Sequence, residues 1–155
     1  MRAVVQRVTR AQVSVNNLAT GRIGPGLLLL VGVGAEDSLE FVRSRPWKVM
    51  LDKIVNLRIF TDEAGKFNHS LVDVGGDVLL VSQFTLYADC RKGRRPSFSN
   101  AAPPEVAKDL FDLFVEDMRT LAPAGVATGV FGAGMLLDFV NWGPVTITLD
   151  SADFG

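Results

Sequence analysis

A chain of 155 residues, 48% hydrophobic and 21% charged, has the length and apolar content of one globular domain spanning residues 1–155. Its net charge of -1 excludes a globally basic nucleic-acid binder, so any such contact needs a local patch. One cysteine, Cys90, excludes an internal disulfide, and one histidine, His69, leaves too few nitrogen and sulfur ligands for a zinc centre.

Met1 to Arg7 lacks a signal-peptide layout, and no apolar run approaches membrane-spanning length. The expected setting is therefore the cytoplasm, with no membrane partner. Ala3 to Arg7 and Ala11 to Val15 alternate in the strand period, and Asn16-Asn17 turns the chain into a returning strand from Leu18 to Ile23. Gly24-Pro25-Gly26 breaks it. Leu27 to Val33 is continuously apolar, the pattern of a strand buried on both faces.

Asp37 and Glu40 have capping-box spacing, which predicts a helix beginning near Ser38. Trp47, Met50, Leu51 and Ile54 share one helical face, and Pro46 is expected to kink or divide that helix. Leu57 to Thr61 reads as a strand, residues 62–66 as a turn, and Leu71 to Val74 and Val78 to Val81 as strands flanking Gly75-Gly76. Ala88 to Asn100 has the composition of a long polar loop. Pro103-Pro104-Glu105 starts a helix whose stripe, Val106, Leu110, Phe111, Phe114 and Met118, is core rather than a cofactor box. Val126 to Val140 should hold one or two strands, and Val145 to Asp150 another. Between these last two, Gly143-Pro144 contradicts its strand-like surroundings: proline cannot donate to a ladder and glycine weakens a strand. Such a site either turns a corner or presents backbone to something. The expected fold is a single α/β domain, a curved, mixed or mainly antiparallel sheet with helices on one side. No GxGxxG or P-loop pattern is present.

Three stretches carry candidate chemistry. Ser82, Gln83, Phe84 and Thr85 end a buried apolar strand in polar groups, where sites often form, although neither hydroxyl has an adjacent base and, from these residue types alone, strand termination by bonding to nearby backbone is the favoured reading. Arg91, Lys92, Arg94 and Arg95 crowd around Gly93 and suit phosphate contact or a solvated loop, with Phe98 able to stack on a base or anchor the loop. Thr128 to Met135 is rich in small residues that allow close backbone approach by a strand or a ligand.

Ser82-Gln83-Phe84-Thr85-Leu86 and Asn141-Trp142-Gly143-Pro144-Val145-Thr146 resemble the paired signatures of the D-aminoacyl-tRNA deacylases. The opening strand, Gly93 to Phe98 and Phe131-Gly132-Ala133 sit where that family has them. The resemblance implies a metal-free, cofactor-free homodimer with a curved sheet and outer helices. It would hydrolyse the ester of D-aminoacyl-tRNA and of mischarged glycyl-tRNA. Ser82, Gln83, Phe84 and Thr85 would form the catalytic floor, with backbone N–H groups near Gln83 and Phe84 facing the oxyanion. Gly143 and Pro144, joined by a cis bond, would enter the partner's pocket and, with Phe131, Ala133 and Met135, bind substrate. Arg91, Lys92, Arg94 and Arg95 would meet tRNA phosphates. Either Thr85 attacks, or the tRNA 2′-hydroxyl assists a water; the absence of a triad favours the second. Trp142 departs from the family, where an acidic residue often precedes Gly-Pro, as do Gly134 and Leu136 to Phe139. Two other readings compete: a relaxed-chirality relative that clears L-alanyl-tRNA, which Ser82 and Phe84 disfavour, and a tRNA-binding module without catalysis.

Overall fold

The computed structural model describes residues 1–155. In chain order the strands are β1 (Arg2–Val15), β2 (Leu18–Ile23), β3 (Gly26–Gly32), β4 (Phe60–Thr61), β5 (Phe67–His69), β6 (Asp77–Ser82), β7 (Gly125–Thr128) and β8 (Leu136–Asp150). The main sheet runs β2-β1-β3-β6-β7, with β8 on β1; β4 and β5 form a separate pair. Pairings at the β1 end are antiparallel, and β3–β6 and β6–β7 are parallel, so the sheet is mixed as expected. β2 curls round to approach β7 and nearly closes a barrel. At that approach a Cβ on Gly21 would stand 2.7 Å from the Thr128 carbonyl oxygen, so only glycine lets the strands come so close.

Alternation sorts the core into two layers. Ala3, Val5, Leu27, Leu29, Val78 and Leu80 face the helices, whereas Val8, Ala11, Val13, Leu28, Leu79 and Val81 fill the inside of the curl. β3 is thus buried on both faces, as its continuous apolar run predicts. Position parity in β1 changes between Val8 and Ala11 because its register against β8 shifts between Val8 and Arg10. One bulged strand therefore replaces the two short ones expected, and the bulge moves alternation to the other face.

The helices are α1 (Arg45–Asn56), α2 (Leu71–Val74) and α3 (Pro104–Leu121). α1 and α3 bury Trp47, Met50, Leu51, Ile54, Leu110, Phe111, Phe114 and Met118 against one side of the sheet. Trp47 meets Phe114 edge-on at 5.4 Å and donates its indole N–H to Asp117 over 2.8 Å. No helix is long and apolar enough to cross a membrane.

Several sequence expectations are corrected. No α-helix begins at Ser38; only a 3-10 turn, Leu39–Phe41, forms there. The Asp37 carboxylate is already engaged by the Gly34 N–H and the Met1 amino group. Arg43 then takes a φ of 63°, outside the right-handed helical region, and α1 starts afresh behind Ser44, whose hydroxyl accepts from the Trp47 N–H. Pro46 lies in the first turn, where its missing N–H costs nothing, and it bends no helix. Leu71 to Val74 is helix, not strand. Ser70 and Asp73 close a reciprocal capping box, and Gly75 ends the turn in the left-handed region. Of Leu57 to Thr61, only Phe60–Thr61 pairs as a strand.

Candidate active site

β6 delivers Ser82 to the carboxyl end of the parallel β3–β6 pair, the end of an α/β sheet at which ligands commonly bind. The chain then turns through a 3-10 segment, Phe84–Tyr87. Above it lies a cavity of about 460 Å³, lined mainly by hydrophobic groups. Ser82, Gln83 and Phe84 form one wall, and Phe131, Ala133 and Met135 another; Phe111 of α3 and Phe98 close the sides. The small residues before β8 thus border a cavity as well as pack. Gly129 in particular leaves room for Met135, whose sulfur would be 2.5 Å from a Cβ there.

Gln83 is held at both ends of its polar inventory. Its backbone N–H donates to the Val31 carbonyl over 2.7 Å, which corrects the expectation that it faces an oxyanion. The ladder uses that donor, whereas no turn, loop or side-chain bond takes the Phe84 N–H. The Gln83 side-chain amide donates to Thr85 Oγ1 over 2.6 Å. Thr85 is exposed, lies outside the cavity lining and has no carboxylate or imidazole partner, so the structure supplies no base to activate it.

The basic loop hangs from an antiparallel bridge between Asp89 and Ser97, with Gly93 at a φ of 67° near its tip. Arg91 is not a free cation. Its guanidinium forks onto Asp89 at 2.8 and 2.6 Å, and this bonding holds the Asp89 carboxyl down at about 2. Lys92, Arg94 and Arg95 make no ion pair and are exposed. At the loop's return, the Phe98 ring packs against Phe84, with centroids 4.9 Å apart, so the loop is joined to the cavity mouth.

Gly143 and Pro144 lie outside this cavity lining. β8 does not break at them. Opposite the single residue Arg7 of β1 it extrudes Trp142, Gly143, Pro144 and Val145, between the pairs Val8–Asn141 and Gln6–Thr146. The Gly143-Pro144 bond is cis. The base of the arm is pinned by Asn141, whose side chain accepts from the Val145 N–H at 2.7 Å and donates to the Val145 carbonyl at 3.1 Å. Gly143 and Pro144 form its exposed tip.

Arg7, which sequence reasoning did not single out, fills the space beneath the arm. It is 3% exposed. Its Nε donates to the Trp142 carbonyl over 2.7 Å and its Nη1 to the Ile59 carbonyl. Burial lowers the pKa of the guanidinium from its usual value. The signal was present in the sequence: Arg7 stands in phase with Ala3 and Val5, a charge on the inward face of a strand.

The profile of the D-Tyr-tRNA(Tyr) deacylase family matches residues 4–150. Relatives named D-aminoacyl-tRNA deacylase include one from Solidesulfovibrio magneticus, 58% identical over 155 residues, covering 100% of this chain and 98% of the relative. Another, from a Roseiflexus species, is 57% identical over 154 residues, covering 99% and 96%. Among solved structures, a c-Myc DNA unwinding element binding protein superposes with a TM-score of 0.86 at 41% identity, over 97% of this chain and 98% of that one. A probable eukaryotic D-amino acid tRNA deacylase gives 0.77 over 96% and 97%, and its 21% identity speaks for the fold alone.

Proposed function

The chain belongs to the D-Tyr-tRNA(Tyr) deacylase family, and from that premise we propose that it is a D-aminoacyl-tRNA deacylase that reads chirality at the α-carbon. The reaction is hydrolysis of the ester between an aminoacyl group and the terminal adenosine of tRNA. It releases free D-amino acid, and glycine where glycine is mischarged. Residues 1–155 act as one domain, in the cytoplasm, as a homodimer.

The observation that carries this reading is the pairing of an apolar cavity walled by Ser82, Gln83 and Phe84 with an exposed Gly143-Pro144 tip that takes no part in it. The tip is exposed and lies outside the lining of its own cavity, which suits insertion into the cavity of a second copy. Carbonyl oxygens held there accept from the substrate's α-ammonium and fill the space an L side chain needs. A D side chain points away and is tolerated whatever its size, and glycine has nothing to clash. Phe131, Ala133 and Met135 hold the aminoacyl end against the apolar wall. The ester is already activated, so positioning and one oxyanion donor carry much of the rate; the Phe84 N–H, which no turn or loop bond takes, is the candidate. Because Thr85 lacks a base, the substrate's own 2′-hydroxyl orienting a water is the preferred route. Lys92, Arg94 and Arg95 meet acceptor-stem phosphates, with Arg91 bracing the loop through Asp89.

The test is hydrolysis of D-tyrosyl-, L-tyrosyl- and glycyl-tRNA by the purified protein without added metal. Release of D-tyrosine and glycine with L-tyrosyl-tRNA intact is expected. Equal hydrolysis of both enantiomers, or clearance of L-alanyl-tRNA, would refute chiral selection. Binding of tRNA without turnover would leave only the binding-module reading. Retained activity in Thr85→Ala, with loss on tRNA ending in 2′-deoxyadenosine, supports the 2′-hydroxyl route; the reverse pattern assigns attack to Thr85.

A further inference from the structure

The guanidinium of Arg7 is nearly buried, yet none of the ion pairs of the chain includes it. Two carbonyls take its Nε and Nη1 hydrogens, from Trp142 and Ile59. The charge itself is met by aromatic faces. The Arg7 carbon Cζ lies 4.5 Å from the centroid of the Trp142 ring and 5.1 Å from that of Phe67. Trp142 is braced in turn edge-on by the buried Phe60, with centroids 6.4 Å apart. A cation over a ring is attracted by the ring quadrupole, more strongly where water is excluded.

Trp142 therefore grips Arg7 twice, through its carbonyl and through its ring, and Gly143 follows it directly in the chain. The Arg7 Nη2 would come within 3.0 Å of a Cβ on Gly143, so the cation also sits against the tip. A shift of Arg7 cannot leave the arm where it is. Phe67 supplies the second face, but it is 55% exposed at the rim. The indole belongs to the arm itself, so losing it acts on the arm directly.

We propose that Trp142 is a positioning residue: its indole, stacked on Arg7, sets how far the Gly143-Pro144 tip projects and so how sharply D and L substrates are told apart. This rests on the reading of Gly143-Pro144 as the chiral gate. An aromatic ring does here what a carboxylate would do by ion pairing, without placing a second charge at the desolvated contact.

The experiment compares the wild-type protein with Trp142→Leu, which keeps apolar bulk but removes the ring face, and Trp142→Phe, which restores a face. The D-to-L ratio of kcat/KM for tyrosyl-tRNA is read beside the amide resonances of Gly143 and Val145. Trp142→Leu is expected to move both amide resonances and to shrink the ratio on the order of tenfold, the scale of one desolvated cation–π contact. Trp142→Phe is expected to recover most of both. If Trp142→Leu folds with both amides unmoved and the ratio within twofold of wild type, the proposal is overturned. A global loss of fold in Trp142→Leu is resolved by Trp142→Phe against Trp142→Tyr, which must both keep the wild-type ratio if the ring face is the working group. Should the wild-type protein lack D-specific hydrolysis, the chiral-gate reading fails by itself. The amide resonances then decide the clamp, with unmoved amides overturning it.

Discussion

Replacing Gly143 with alanine tests the arm most directly. Gly143 has a φ of 140°, a region L-residues rarely adopt, and a residue forced there costs about 1–3 kcal/mol. The new methyl would stand 2.8 Å from Val145 Cγ2 and 3.0 Å from both Arg7 Nη2 and the Val145 backbone nitrogen. The side chains must shift and the backbone at Val145 must give by a few tenths of an ångström, a local cost that the ~5–15 kcal/mol available to a domain can absorb. With about 2–4 °C per kcal/mol at this chain length, Tm should fall by about 2–12 °C. Activity should suffer more. Arg7 must retreat, its bond to the Trp142 carbonyl loosens, and the tip moves; a misplacement of ~1 Å can cost about 10²-fold in rate. The assays are thermal unfolding and single-turnover hydrolysis of D-tyrosyl-tRNA. If G143A kept Tm within 1 °C and kcat/KM within about twofold of wild type, a backbone arm held by Arg7 would not be what the chemistry uses.

Ser70→Ala removes both hydroxyl bonds of the capping box at α2 and should cost about 1 kcal/mol in urea unfolding with hydrolysis unchanged, since Ser70 lies outside the cavity; an activity loss larger than the stability loss would contradict that separation. Arg94→Ala with Arg95→Ala should weaken tRNA binding and lower the slope of log K against log salt by about 1 for each phosphate no longer neutralised, whereas an unchanged slope would free the loop from that role. The Asp89 carboxyl, bonded first by the Arg91 side chain, is held at about 2. A carboxyl depressed on folding contributes above the ordinary carboxylate range and loses that contribution as pH falls through its folded value. The Asp89–Arg91 bracing of the loop should thus persist down to pH about 2, and a carboxyl resonance titrating near pH 4 would rule the fork out in solution.

Much of the fold was legible because it follows from local rules. The run of Leu27 to Val33 announced a doubly buried strand, and the stripe of Leu110, Phe114 and Met118 a core-facing helix. The misreadings have a common cause. Asp37 had the spacing of a cap, but its carboxylate is claimed by the distant Met1 amino group and by the nearby Gly34 N–H, whereas Ser70 caps four residues that look like a strand.

The motifs Ser82 to Leu86 and Asn141 to Thr146 were visible as residue types, because strand ends rich in polar groups and a proline in a strand are local anomalies. Their relation to each other was not. That the first walls a cavity with Phe131, Ala133 and Met135, and that the tip of the second lies outside its lining, depends on where β6 ends and on β8 pairing along β1. The composition of the basic loop told of four cations alike, yet the fold commits Arg91 to Asp89 and leaves Lys92, Arg94 and Arg95 open. By itself the sequence determined the doubly buried strand, the core-facing helices and the resemblance, all set by neighbours a few residues apart. Tertiary structure alone decided that Arg7, far along the chain from Trp142, lies beneath its ring, because only strand pairing brings a buried charge to the face that balances it.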